Sequence, residues 1–231
     1  MEKMNKRKPL PFYATLIFIC AIMTVMLTLN FRSENQIFDP MEKALRLYQE
    51  NDYENAIIYF AQADNRNIPE ASFALGAMHF SGKGTEENVS KALFYYEKAA
   101  GNGYTPAMIT LALLYAHGEK VDKDFEKAFQ WAKKAAERND AEAQSILAGW
   151  YENGIIVEQN IFEAVRYYEM AAKNGDANAK MALSLIYRNG KGNFPPNIYA
   201  AQRWEDSMKK QKKLNNLFRN RPADYIDKAL P

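Results

Sequence analysis

Beyond residue 68 the chain aligns with itself at a shift of 36 residues, and no other feature narrows its possible folds as much. Alanine recurs at Ala71, Ala107, Ala143 and Ala179, and leucine follows four residues later at Leu75, Leu111, Leu147 and Leu183. A small residue comes next, at Gly76, Ala112, Ala148 and Ser184. A ring stands at His79, Tyr115, Tyr151 and Tyr187, and a glycine at Gly82, Gly118, Gly154 and Gly190. A second alanine aligns at Ala92, Ala128, Ala164 and Ala200 with no insertion, and aromatic residues follow at Tyr95, Tyr96, Trp131, Tyr167, Tyr168 and Trp204. Alanine pairs close the first three units (Ala99-Ala100, Ala135-Ala136, Ala171-Ala172). Agreement at this many fixed positions marks a tandem array in which each unit stacks on the next.

Each unit reads as two helices. The first alanine, the leucine, the ring and one more apolar residue (Met78, Leu114, Trp150, Ile186) fall on one helix face. The glycine ends that helix, because only glycine takes positive φ without steric cost. Asn88, Asp124 and Asn160 stand where a short side-chain oxygen caps the second helix. Alanine and glycine let helix axes approach, and the aromatic rings fill the wider gaps. The fourth copy departs from the pattern: Pro195-Pro196 takes the cap position, Arg203 an aromatic position and Ser207-Met208 the alanine pair.

The pattern Ala-x-x-x-Leu-Gly, then Gly-x-Gly, then Lys-Ala-x-x-Tyr-Tyr-x-x-Ala-Ala-x-x-Gly, clearest over Ala71–Gly103, resembles the Sel1-like repeat, a relative of the tetratricopeptide repeat. The resemblance covers residues 69–208 and implies an all-α, right-handed α-solenoid of helix–turn–helix units. The units are residues 69–104, 105–140, 141–176 and 177–208. Residues 38–67 read as a shorter tetratricopeptide-like pair, with Ala56, Tyr59, Phe60 and Ala63 in phase with Ala92, Tyr95, Tyr96 and Ala99. Residues 209–231 form a basic tail, read as a capping helix that docks Leu214, Leu217 and Phe218 on the last repeat. The rival reading of that tail is an arm for a membrane or an acidic partner.

The N-terminal segment differs from everything after it. Phe12 to Leu29 is a run of 18 residues without a charge, preceded by Lys3, Lys6, Arg7 and Lys8. Residues 10–31 therefore predict a transmembrane signal anchor, with residues 1–9 cytoplasmic and 32–37 a linker. The run ends Thr28-Leu29-Asn30-Phe31, which lacks the small residues of a cleavage site. Outside residues 1–32 the chain has 25 basic and 27 acidic residues, so it lacks the charge of a nucleic-acid binder. The single cysteine, Cys20, lies in the apolar run and rules out a disulfide within one chain.

Residues with the chemistry of a catalytic site are sparse. His79 occupies a ring position that is otherwise tyrosine, which favours a core role, and His117 precedes a loop glycine. Gly82-Lys83-Gly84 and Gly190-Lys191-Gly192 lack the strand–loop–helix context of a phosphate cradle. No cofactor, metal or small-molecule substrate is expected. A second stripe runs along the first helices: Phe73, Ala77 and Phe80; Ile109, Leu113 and Ala116; Ser145, Gly149 and Glu152; Met181, Leu185 and Arg188. Either it packs against the adjacent repeat, or Phe73, Phe80, Ile109, Leu113, Met181 and Leu185 line a groove for a protein or peptide, with its apolar part in the first two repeats.

The resemblance implies an adaptor that binds proteins. Together with the anchor it implies a single-pass protein of the bacterial inner membrane, N-terminus cytoplasmic and solenoid periplasmic. There are two alternatives: an envelope enzyme or cell-wall binder, since some relatives with cysteine-rich repeats are linked to β-lactams, and the same scaffold facing the cytoplasm.

Overall fold

The computed structural model describes residues 39–219, with side chains described through residue 216. The predicted anchor at 10–31 and linker at 32–37 lie outside the described residues, as do the side chains of Leu217 and Phe218. Among the described residues there are ten α-helices and no strand: α1 (Pro40–Gln49), α2 (Tyr53–Asp64), α3 (Pro69–Ser81), α4 (Val89–Gly101), α5 (Thr105–His117), α6 (Phe125–Glu137), α7 (Ala141–Asn153), α8 (Ile161–Lys173), α9 (Ala177–Asn189) and α10 (Ile198–Arg219). Each helix packs chiefly on those before and after it in sequence, so the fold is an all-α repeat solenoid. None of the described helices is long and apolar enough to cross a membrane.

Local chemistry sets the helix ends. Asn88 and Asp124 each accept a hydrogen bond from the backbone N–H three residues on, at 2.9 Å, and Asn160 accepts from Phe162 and Glu163. Asp140 and Asp176 cap α7 and α9 in the same way, accepting from Ala143 and Asn178. Gly82, Gly118 and Gly154 end their helices in the left-handed region at φ 69, 70 and 64°.

The repeat positions become the core. Ala71, Ala107, Ala143 and Ala179 are fully buried, and so are Leu111, Leu147 and Leu183. The second alanine and the alanine pairs lie against them; each buried leucine contributes roughly 1.5–3 kcal/mol and each alanine methyl about 0.8 kcal/mol. Residues 40–64 and one face of α3 share a smaller cluster, in which Phe60 and Met78 are buried beside Leu75.

The fourth repeat corrects the register. Ala201, not Ala200, is the buried alanine of α10. Pro196 sits where Asn160 would align, and the cap moves one residue on to Asn197, which accepts from the Ala200 N–H at 3.0 Å. The loop before α10 is thus one residue longer, and Gly190 takes φ 68° with ψ 167° instead of the left-handed helical values. From there Trp204 aligns with Trp131 and Tyr167, and Glu205 with Tyr96 and Tyr168. Leu214 is exposed on α10, so it is not docked on the last repeat as the sequence suggested.

Candidate partner-binding surface

The stripe on the first helices divides into a packed part and an open part. Phe73 is half-buried, its ring 5.5 Å from that of Tyr96 on α4 and 5.3 Å from Tyr104, the cap of α5. Ile109 is buried, with 7% exposure, and belongs to the core. Of the two readings the sequence left open for it, packing and a groove, the packed one holds at this position, and Ile109 does not line a groove. Ser145 donates its hydroxyl to Asp176, the cap of α9, at the position equivalent to Phe73. In the first three repeats, then, the N-terminal end of this stripe is the joint between neighbouring units.

The far end of the stripe is also tied across the joint. The Lys120 ammonium lies 4.8 Å above the half-buried Phe80 ring and donates to the Phe80 carbonyl and to Glu87, at 3.2 and 2.8 Å. Lys120 holds φ 61° to do so, a conformation costing a lysine about 1 kcal/mol. Glu152 accepts from the Tyr168 hydroxyl and from the Lys191 ammonium, both at 2.6 Å. Burial pushes the Tyr168 phenol well above its ordinary range, and the Glu152 carboxylate adds to this, so the hydroxyl stays a donor. Lys83 stands over the rings of Tyr48 and Tyr53, at 5.4 and 5.1 Å. The two Gly-Lys-Gly loops are therefore clasps on the preceding unit. Leu113 is half-buried against the main cluster.

The fourth repeat is different. Met181 and Leu185 are each 53% exposed. Among the described residues, two covers that close the stripe elsewhere are missing. No described helix follows α10 to place a cap over Met181. The ring position that holds Tyr96 over Gly76 and Phe73, and Tyr168 beside Glu152, holds Glu205, which pairs with Arg188. The sequence put the apolar part of the surface in the first two repeats; the structure opens it in the last. The one-residue shift in α10 concealed Glu205 as the equivalent of those tyrosines, and only the Pro195-Pro196 pair hinted at it.

The histidines do not form a site. His79 is buried and stacks on Tyr95 with centroids 5.6 Å apart, and its Nδ1 has no hydrogen-bond partner. Burial, helped by the Lys91 charge, holds its pKa below the ordinary value. His117 is exposed. Among the described residues no three His, Cys, Asp or Glu side chains gather as a metal ion requires.

Stacked helix pairs with this joint define a helical-repeat scaffold. The chain belongs to the Sel1 repeat family, whose model matches residues 69–104, 105–140, 141–176 and 175–204. Sel1-repeat proteins are generally protein-interaction scaffolds. Among solved structures the chain is similar to a Sel1 repeat protein from Oxalobacter formigenes, with a TM-score of 0.66 and 29% identity over 74% of this chain and 70% of that one. It shares the fold of a protective antigen of uropathogenic Escherichia coli strains, with a TM-score of 0.65 and 24% identity over 74% of this chain and 38% of that one. No curated protein matches the chain in sequence.

Proposed function

We propose that the chain is a non-enzymatic adaptor of the bacterial cell envelope. Residues 10–31 anchor it in the inner membrane, the N-terminus is cytoplasmic, and the solenoid captures a protein or peptide in the periplasm. The observation that carries the binding role is the exposure of Met181 and Leu185, apolar side chains left open on a stripe that is consumed by packing in the preceding repeats. Family membership supports the same reading. The anchor and its orientation are supported by the uncharged 18-residue run behind four basic residues.

Crosslinking in membranes, with the solenoid as bait and mass spectrometry of the captured proteins, tests the binding role. The expected result is one protein recovered in repeated preparations and lost with Leu185→Asp. Recovery of nothing specific would remove the reading. Fusions at the C-terminus test the topology: alkaline phosphatase should be active and green fluorescent protein dark. The reverse pair of signals would place the repeats in the cytoplasm.

A further inference from the structure

The exposed end of the stripe has a chemistry of its own. On α10 no acidic residue follows Asp206 as far as Arg219, while Lys209, Lys210, Lys212 and Lys213 crowd one and a half turns. Glu205 is taken by Arg188, and Asp206 by Gln202 and Lys209. No carboxylate among the described residues pairs with Lys210, Lys212 or Lys213. The helices run antiparallel, since Arg188 meets Glu205 and Lys180 donates to Gln211. Lys212 is seven residues, two turns, beyond Glu205, on the same side of α10. It therefore flanks the exposed α9 stripe at the level of Met181, as Arg188 flanks it beyond Leu185. Arg188 is neutralised by Glu205, so a short apolar ledge is bordered by unpaired positive charge at its Met181 end, although residues 33–204 carry 18 basic and 23 acidic residues.

A further repeat, or a second copy stacked end to end, does not suit this surface. On α8 the side facing the next unit carries Phe162, Val165, Glu169 and Ala172, with Val165 and Ala172 buried and Glu169 accepting from the Tyr187 hydroxyl. The equivalent residues of α10 are Tyr199, Gln202, Asp206 and Lys209, and the last three bond to one another. Beside the exposed Tyr199, that side is covered by polar groups bonded to one another rather than by the buried valine and alanine that α8 presents to the next unit. The narrow ledge on α9 lies open beside it.

We propose that this ledge binds an acidic amphipathic segment of a partner protein. Its apolar side chains lie on Met181 and Leu185, and its carboxylates face Lys212 and the lysines around it. The proposal rests on the adaptor reading and specifies where and what the adaptor binds. A strip bounded on its inner side by the Ser145–Asp176 and Glu152–Lys191 contacts takes a chain better than a flat bilayer.

The test is selection of a phage-displayed library of random 16-residue peptides on the full chain. Enriched peptides should be acidic with apolar residues three or four apart. They should lose at least tenfold in affinity to Leu185→Asp, and severalfold to the Lys212→Glu, Lys213→Glu double variant, with the loss growing smaller in high salt. Both variants change exposed residues, and circular dichroism checks that they stay folded. Four results would overturn the proposal: no enrichment, neutral or basic winners, Leu185-dependent flotation with anionic phosphatidylglycerol vesicles, or a Leu185-dependent dimer in sedimentation. Peptides that ignore Leu185→Asp but are lost with Phe80→Asp or Leu113→Asp would sink the ledge and leave the adaptor reading standing. An empty crosslinking experiment would sink both.

Discussion

A methyl group added at Gly76 should destabilise the first repeat, and removing one ring should reverse the sign. A Cβ there would lie 2.6 Å from Cδ1 and 2.7 Å from Cε1 of Tyr96. Tyr96 is buried and packs on Phe73, so it has little room to move. Overpacking of this kind costs about 1–3 kcal/mol, and replacing glycine by alanine inside a helix returns about 1 kcal/mol. Gly76→Ala should therefore lose about 1 kcal/mol net. The second repeat already holds the compensated pair, with Ala112 and Ala132 at the same positions, both buried. In a Tyr96→Ala background the clash is gone, and Gly76→Ala should gain about 1 kcal/mol from helix propensity alone, a coupling of about 2 kcal/mol. The third repeat keeps both Ala148 and a tyrosine, but the hydroxyl of Tyr168 is drawn to Glu152. Urea unfolding followed by circular dichroism measures the cycle. Amide exchange in α3 and α4 reports it locally, since repeat arrays can open one unit at a time. A Gly76→Ala variant that is more stable than the parent, or an effect of the same sign in both backgrounds, would refute the packing account.

Three further outcomes rest on particular contacts. Ile109→Asp buries a carboxylate in the core and should cost upwards of about 3 kcal/mol with loss of helicity, whereas Leu185→Asp should stay within about 0.5 kcal/mol; melting curves of the two, side by side, decide it. Because the folded pKa of His79 is held below its ordinary 6.5, the unfolded chain takes up the proton first as pH falls. The stability is held above about pH 6.5 and is lost as pH falls through that value toward the folded pKa; His79→Tyr, which copies the other three repeats, should flatten the melting temperature between pH 7 and 5. Gly84 sits at φ 71°, and a Cβ there would meet the Tyr53 carbonyl oxygen at 2.3 Å, so Gly84→Ala should cost at least about 2 kcal/mol and speed amide exchange in α1 and α2.

The sequence displays the core because the core is periodic. Ala71, Leu75 and their equivalents recur at a fixed spacing, and burial requires that spacing. Asn88, Asp124 and Asn160 were legible as caps for the same reason, and the structure gives each its backbone partner. The features that could not be read were either aperiodic or between units. Asp64 is buried and takes the Ser72 hydroxyl and the Lys98 ammonium, the latter at 2.7 Å and 34 residues away. Nothing repeats that network, since the position of Asp64 is Ala100, Ala136 and Ala172 in the next three units and, at the same 36-residue spacing, Met208 in the fourth. Gln144 bridges the Ala136 carbonyl and Asn174 with the same lack of signal. The stripe was visible as a stripe, but whether it packs or lies open depends on whether another unit is stacked over it. Ile109 and Met181 hold equivalent positions and differ from 7% to 53% in exposure; among the described residues a further repeat follows the unit of Ile109 and none follows that of Met181.

Site-specific photo-crosslinking in intact membranes tests the adaptor reading most directly. A benzophenone amino acid at position 185 samples the exposed ledge, and one at position 130, on the outer face of α6, serves as control. The account predicts a discrete crosslinked protein from position 185 that is absent from position 130 and falls severalfold in yield with the Lys212→Glu, Lys213→Glu double variant. No product at 185, or the same product from both positions, would contradict it.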